Sequence, residues 1–126
     1  MNNVIVLGAG MVGSVIAIDL VKNHNVTLTD LSKSVLDRVK QKHDSLTILQ
    51  LDVTNKLELQ NSIKPFDLVV NAVPGFLGFE TLKTIIETGM NVIDISFFPE
   101  NSLDLDKLAK EKNVTAIVDC GVAPGM

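Results

Sequence analysis

The chain has no tryptophan, no tyrosine, one cysteine and two histidines in 126 residues. A single cysteine, Cys120, excludes an internal disulfide framework and fits a reducing compartment, so the cytoplasm is the expected location. His24 and His43 are too far apart in sequence and too few to give zinc-ligand spacing, so no metal is expected. Both are expected to be solvated at helix ends. No G-x-S-x-G elbow or nucleophile–base pair is visible. Cations are also scarce: 11 Lys and Arg against 15 Asp and Glu leave a net charge of −4. Phosphate-backbone binding needs clustered cations, so nucleic acid is not an expected partner. Long hydrophobic runs are missing as well. The apolar stretch Val4 to Ile18 is broken by glycine and too short to span a bilayer. It also lacks the cationic start and small-residue cleavage site of a secretory leader. No membrane partner is expected.

What remains is an ordinary globular composition, 46% hydrophobic and 21% charged, on a chain long enough for one domain with a real core. Its patterning alternates between two periods. Residues 3–7, 25–30, 46–52, 67–73, 91–96 and 115–119 are short and β-branched. Between them, residues 11–22, 32–43, 56–63, 77–88 and 103–112 have helical spacing. Apolar strands alternating with amphipathic helices imply an α/β fold, a parallel sheet covered on both faces. Six strands joined by five crossovers fit a doubly wound Rossmann NAD(P)-binding fold of order 3-2-1-4-5-6.

The sharpest local pattern is "VIVLGAGMVGSVIAIDL". Gly8, Gly10 and Gly13 make G-x-G-x-x-G between a strand and a helix. Gly8 permits a tight turn, Gly10 lets a pyrophosphate approach the backbone, and Gly13 lets the helix pack against the first strand. Ala9, Met11 and Val12 complete the loop, whose helix N-terminus favours negative charge. Asp30 closes the second strand, twenty residues after Gly10. There it either accepts hydrogen bonds from adenosine ribose hydroxyls or caps the next helix. As a ribose ligand it disfavours the 2′-phosphate of NADP, so NAD is the expected cofactor and NADP the weaker one, with Lys33 nearby able to soften the repulsion. Leu31 follows on the same rim.

Asp52 and Val53 end the third strand. They either meet the adenine, through its amine and its ring, or form a plain strand-end turn. Asn71, Ala72, Val73 and Pro74 end the fourth strand and face the glycine loop where the strand order reverses. Phe76 and Phe79 are expected in the core. Asp94 and Ser96 are polar residues in an apolar fifth strand, on the same rim. Asp94 is the one carboxylate expected near the reacting face, either as a candidate catalytic acid/base or simply hydrogen-bonded to a neighbouring loop, and Ser96 is a candidate cofactor contact. Phe97 and Phe98 follow in a loop. Cys120 is expected to act as a small buried hydrophobe.

Together "LGAGMVG", "DLVVNAVPGFLG", "NVIDISFFPEN" and "LAKEKNVTAIVDCGVAPGM" resemble the saccharopine dehydrogenase-like family, most closely its L-lysine 6-dehydrogenase branch. The resemblance runs along the whole chain. It implies that residues 1–126 are a dinucleotide-binding domain. It also implies that the turn Gly121 to Met126 leads into a separate substrate and catalytic domain, absent from this chain, through which the enzyme dimerises. The implied activity of the whole enzyme is NAD-dependent oxidation of the amine carbon of L-lysine or a related amine or amino acid. The fragment alone is expected to be inactive. Saccharopine reductases tend to carry an acidic residue where this chain has Ala123, which favours the lysine branch. The alternatives are a carboxynorspermidine-type or saccharopine reductase, or a regulatory module that senses NAD(H) without chemistry.

Overall fold

The computed structural model describes residues 2–95 and 103–118. Ser96, Phe97, Phe98, Asp119, Cys120 and the turn from Gly121 to Met126 therefore lie outside the described residues. The strands are β1 (Asn3–Leu7), β2 (Asn25–Asp30), β3 (Thr47–Gln50), β4 (Leu68–Asn71), β5 (Val92–Asp94) and β6 (Ala116–Val118). The helices are α1 (Met11–Leu20), α2 (Lys33–Lys42), α3 (Lys56–Ile63), α4 (Gly75–Glu87) and α5 (Leu103–Lys112). The strands form one parallel sheet of order β3-β2-β1-β4-β5-β6. This is the doubly wound Rossmann arrangement expected from the sequence.

The pleat explains why β1 is apolar throughout. Val4 and Val6 point to one face and join Ala17, Val26, Leu28, Leu36 and Leu46 beneath α1 and α2. Ile5 and Leu7 point to the other and join Leu59, Ile63, Leu82, Ile85, Ile86 and Leu105 beneath α3, α4 and α5. A strand buried on both faces has no polar side to show.

Element ends follow local hydrogen bonds. Ser32 caps α2, its hydroxyl oxygen accepting from the Val35 N–H at 3.4 Å. Asn55 caps α3 in the same way from the Glu58 N–H at 3.1 Å. These oxygens satisfy N–H groups that lack an intrahelical acceptor. β1 and β2 have the expected bounds and the last four strands are shorter than the sequence pattern suggests, but the ladder runs past both ends of β4. The Asp67 N–H donates to the Asn3 carbonyl and the Ala72 N–H to the Leu7 carbonyl, both at 2.8 Å. Helix α4 starts at Gly75, two residues before the expected start. The preceding Pro74 has φ −53°, close to the angle its ring imposes, and the Leu77 N–H donates to its carbonyl at 2.9 Å.

One core expectation fails. Phe79 packs against the core, but Phe76 is 83% exposed. Helix α4 turns Gly78, Leu82 and Ile85 inward, and at about 100° per residue Phe76 falls on the side opposite Gly78. Among the described residues no helix is long and apolar enough to cross a membrane. Leu59 is fully buried and anchors α3 to the sheet. Leu59→Ala should lower unfolding free energy by about 2–5 kcal/mol in urea titration. A loss below about 1 kcal/mol would contradict this packing of α3.

Candidate dinucleotide site

The three glycines of the first loop are glycines for different reasons. Gly8 has φ +100°, and a Cβ built on it would lie 2.6 Å from the Ala72 carbonyl oxygen. At Gly13 an added Cβ would run into the Gly8 carbonyl, with the Ala72 methyl at 3.3 Å. Both are needed for α1 to sit close against β1 and β4. Gly10 is different. Its φ is −69°, which any residue adopts, and nothing lies within 4 Å of an added Cβ. Neither torsion nor packing among the described residues requires a glycine there. Gly10 is also the N-cap of α1, and no side chain caps that end. The first-turn N–H groups and the positive end of the helix dipole suit an anionic ligand above Gly10.

Asp30 ties this loop to its surroundings. Its Oδ1 accepts from the Ala9 N–H and its Oδ2 from the Ser32 N–H, both at 2.9 Å. An ionised carboxylate has about four acceptor positions, so each oxygen retains one. The capping oxygen of α2 belongs to Ser32, not to Asp30. Lys33 points along its own helix, with Nζ 3.6 Å from Asp37 Oδ2.

A cleft of about 650 Å³ opens above the loop. Gly8, Gly10, Met11, Val12, Gly13 and Asp30 line one part, and Ala72, Val73 and Pro74 another. Ile16 and Ile95 complete it. A pocket of about 280 Å³ adjoins it, sharing Gly8, Asp30, Val73 and Pro74. Leu31, Asp52, Val53 and Phe76 are among the residues lining this second pocket. Asp52 Oδ1 accepts from the Thr54 hydroxyl at 2.6 Å and the Thr54 N–H at 3.0 Å. These bonds, the hydroxyl first, hold the Asp52 carboxyl below its ordinary value of 3.8, so it is charged at neutral pH.

The structure thus brings most of the sequence-derived residues to one edge. Ala9 takes part through its backbone and is itself buried. Asn71 and Asp94 lie behind the cleft, 0% and 1% exposed. Asn71 Nδ2 donates to Asp94 Oδ2 at 2.6 Å and to the Gly78 carbonyl at 3.3 Å. Asn71 Oδ1 is buried without a hydrogen-bond partner, which costs about 1–3 kcal/mol. Sequence reading missed Ile16, Ile95 and Phe76. Ile95 was detectable as the neighbour of Asp94 on the same strand end. An aromatic residue just after Pro-Gly was the only sign of Phe76.

Residues 4–117 match the family model described as the saccharopine dehydrogenase NADP binding domain. The chain belongs to this family. Among curated proteins it is similar to the mitochondrial alpha-aminoadipic semialdehyde synthase of Mus musculus, with 25% identity over 99% of this chain and 14% of that protein. It is also similar to the saccharopine dehydrogenase [NADP(+), L-glutamate-forming] of Pyricularia oryzae, 24% identical over 99% of this chain and 28% of that one. The chain therefore spans less than a third of the curated relatives it matches. Among solved structures, the apo saccharopine dehydrogenase (L-Glu forming) of Saccharomyces cerevisiae superposes with a TM-score of 0.83 at 24% identity, over 99% of this chain and 28% of that one. The scyllo-inositol dehydrogenase of Lactobacillus casei, with bound NAD(H), gives 0.73 at 14% identity, over 94% and 36%. At these identities the structures show the fold. As a member of this family the chain is an NAD(P)-binding domain.

Because no described residue opposes a side chain at Gly10, Gly10→Val should stay folded, with its thermal midpoint lowered only slightly by the poorer N-cap, and abolish NADH binding in calorimetric titration. Unchanged affinity in the folded variant would mean that the dinucleotide sits elsewhere.

Proposed function

We propose that this chain binds NAD(H) in preference to NADP(H), as the cofactor half of an enzyme that oxidises the amine carbon of L-lysine or a related amine. The observation that carries the binding reading is Gly10, an N-cap glycine over which no described residue packs. In this reading the pyrophosphate lies over Gly10 and the N-terminus of α1, beside Met11 and Val12. The adenosine ribose hydroxyls donate to the acceptor positions left on Asp30. Leu31, Asp52 and Val53 receive the adenine. Ala72, Val73 and Pro74 line the nicotinamide half, with Ser96 assigned to the same rim from the sequence alone. A nicotinamide dinucleotide supplies a hydride acceptor or donor. The chain's own residues bind it, orient it and keep water from its apolar half.

The cofactor preference rests on charge. A 2′-phosphate at the ribose would face the Asp30 carboxylate. Like charges ~4 Å apart near a surface repel by up to ~4 kcal/mol, and about 1.4 kcal/mol already gives a tenfold preference. Lys33 is engaged with Asp37, which limits its help to a phosphate. The family is described by NADP binding, so Asp30 is where this chain's preference is decided.

The substrate class follows from the family and not from the cleft. Arg38 is the chain's single arginine, and it lies on α2 beside Ile18, Val39 and His43. Among the described residues no arginine lines the cleft to hold an amino-acid carboxylate. We assign that task to a further domain, together with the main acid/base group and a homodimer contact. An acid/base role for Asp94 needs its carboxylate in the cleft. Its burial and its bond from Asn71 support a positioning role instead: it braces the turn that carries Ala72 to Pro74.

Calorimetric titration of both cofactors tests the preference. NADH should bind at least about tenfold tighter than NADPH. Asp30→Ala should narrow the gap, and it should weaken NADH as well, because the Ala9 and Ser32 N–H groups lose their acceptor. Equal affinities in the parent protein would defeat the ribose assignment.

A further inference from the structure

Among the described residues folding leaves eight large apolar side chains exposed, and Phe76 is the one aromatic among them. Burying a phenylalanine contributes about 1.5–3 kcal/mol, and Phe66 and Phe79 pack against the core in the expected way. Phe76 stays 83% exposed. Its place is fixed by the rigid turn before it, where the Leu77 N–H closes on the Pro74 carbonyl at 2.9 Å. It lines the pocket of about 280 Å³ with Leu31, Val53 and Asp52. That pocket adjoins the main cleft, sharing Gly8, Asp30, Val73 and Pro74 as lining residues. A ligand lying over the glycine loop and turning past Asp30 would thus bring its far end against Phe76.

We propose that Phe76 is the stacking face for the purine base of an adenine nucleotide, an inference that rests on the dinucleotide reading above. A phenyl ring offers a flat π surface and loses little conformational freedom when it is covered. Leu31 and Val53 add apolar contacts, so the base leaves water on its faces and keeps its polar edge for one partner. That partner is Asp52. Its Oδ1 already accepts twice from Thr54, and an ionised carboxylate can only accept. The remaining oxygen therefore suits a base edge that donates, such as an exocyclic amine. A stacking platform beside an acceptor-only group fits adenine better than a base presenting a carbonyl there.

The chain has no tryptophan, so Phe76→Trp places a single fluorescent reporter at this position. AMP and NADH should each quench it and bind at least as tightly as to the parent protein. Phe76→Ala should weaken both ligands by about fivefold to a hundredfold. Nicotinamide mononucleotide, which has no purine, should bind the variants and the parent alike. Because the side chain is exposed, the thermal midpoint should not move. AMP without effect on the Phe76→Trp fluorescence, or Phe76→Ala binding NADH within about twofold of the parent, would overturn the proposal; Phe76 would then be covered by protein. If the parent binds NADH and only the Phe76 variants are indifferent, the stacking role alone falls. If the parent binds neither NADH nor AMP, the dinucleotide reading falls with it.

Discussion

A side chain at Gly8 would meet the Ala72 carbonyl oxygen at 2.6 Å, and one at Gly13 would run into the Gly8 carbonyl. Helix α1 can therefore approach β1 and β4 only because both positions lack a Cβ. The rest of the sheet edge depends on that approach. It brings the uncapped N-terminus of α1 beside Ala72, Val73 and Pro74, and it leaves Gly10 facing open space. Two of the glycines serve the fold, and the third is the one we assign to the ligand. Their single G-x-G-x-x-G pattern in the sequence hides this division of roles.

The second constraint is the Asp30 carboxylate. It accepts from the backbone of the glycine loop and from the start of α2, so it shapes the loop before any ligand arrives. In the proposed reading the same charge also faces the ribose, which would couple selectivity and loop geometry in one side chain. A change of cofactor preference by substitution at Asp30 would need a new acceptor for the Ala9 and Ser32 N–H groups.

The architecture was legible because β1 and β4 are buried on both faces and read as apolar runs, and because strand and helix periods alternate along the chain. The glycine loop, Asp30 and the turn after β4 were legible because each sits at a strand end, where topology alone assigns the site edge. What escaped required three-dimensional register. Asn71 and Asp94 are 23 residues apart, and their hydrogen bond exists because β4 pairs with β5, Asn71 opposite Asp94. Sequence alone showed Asp94 as a polar residue at the rim and not as a buried brace. Phe76 escaped for a related reason: an apolar residue in a first helical turn can face either way until the helix start is known. Pro74 sets that start two residues early and turns Phe76 outward.

The central claim is that a nicotinamide dinucleotide lies across the glycine loop. Backbone amide chemical shifts of the ¹⁵N-labelled protein, followed through an NADH titration, test it most directly. The largest changes should fall on Gly8 to Gly13, Asp30, Leu31, Ala72 and Val73. Changes confined to the groove between α3 and α4 that Lys56, Glu80, Lys83 and Glu87 line, with the glycine loop unmoved, would contradict it.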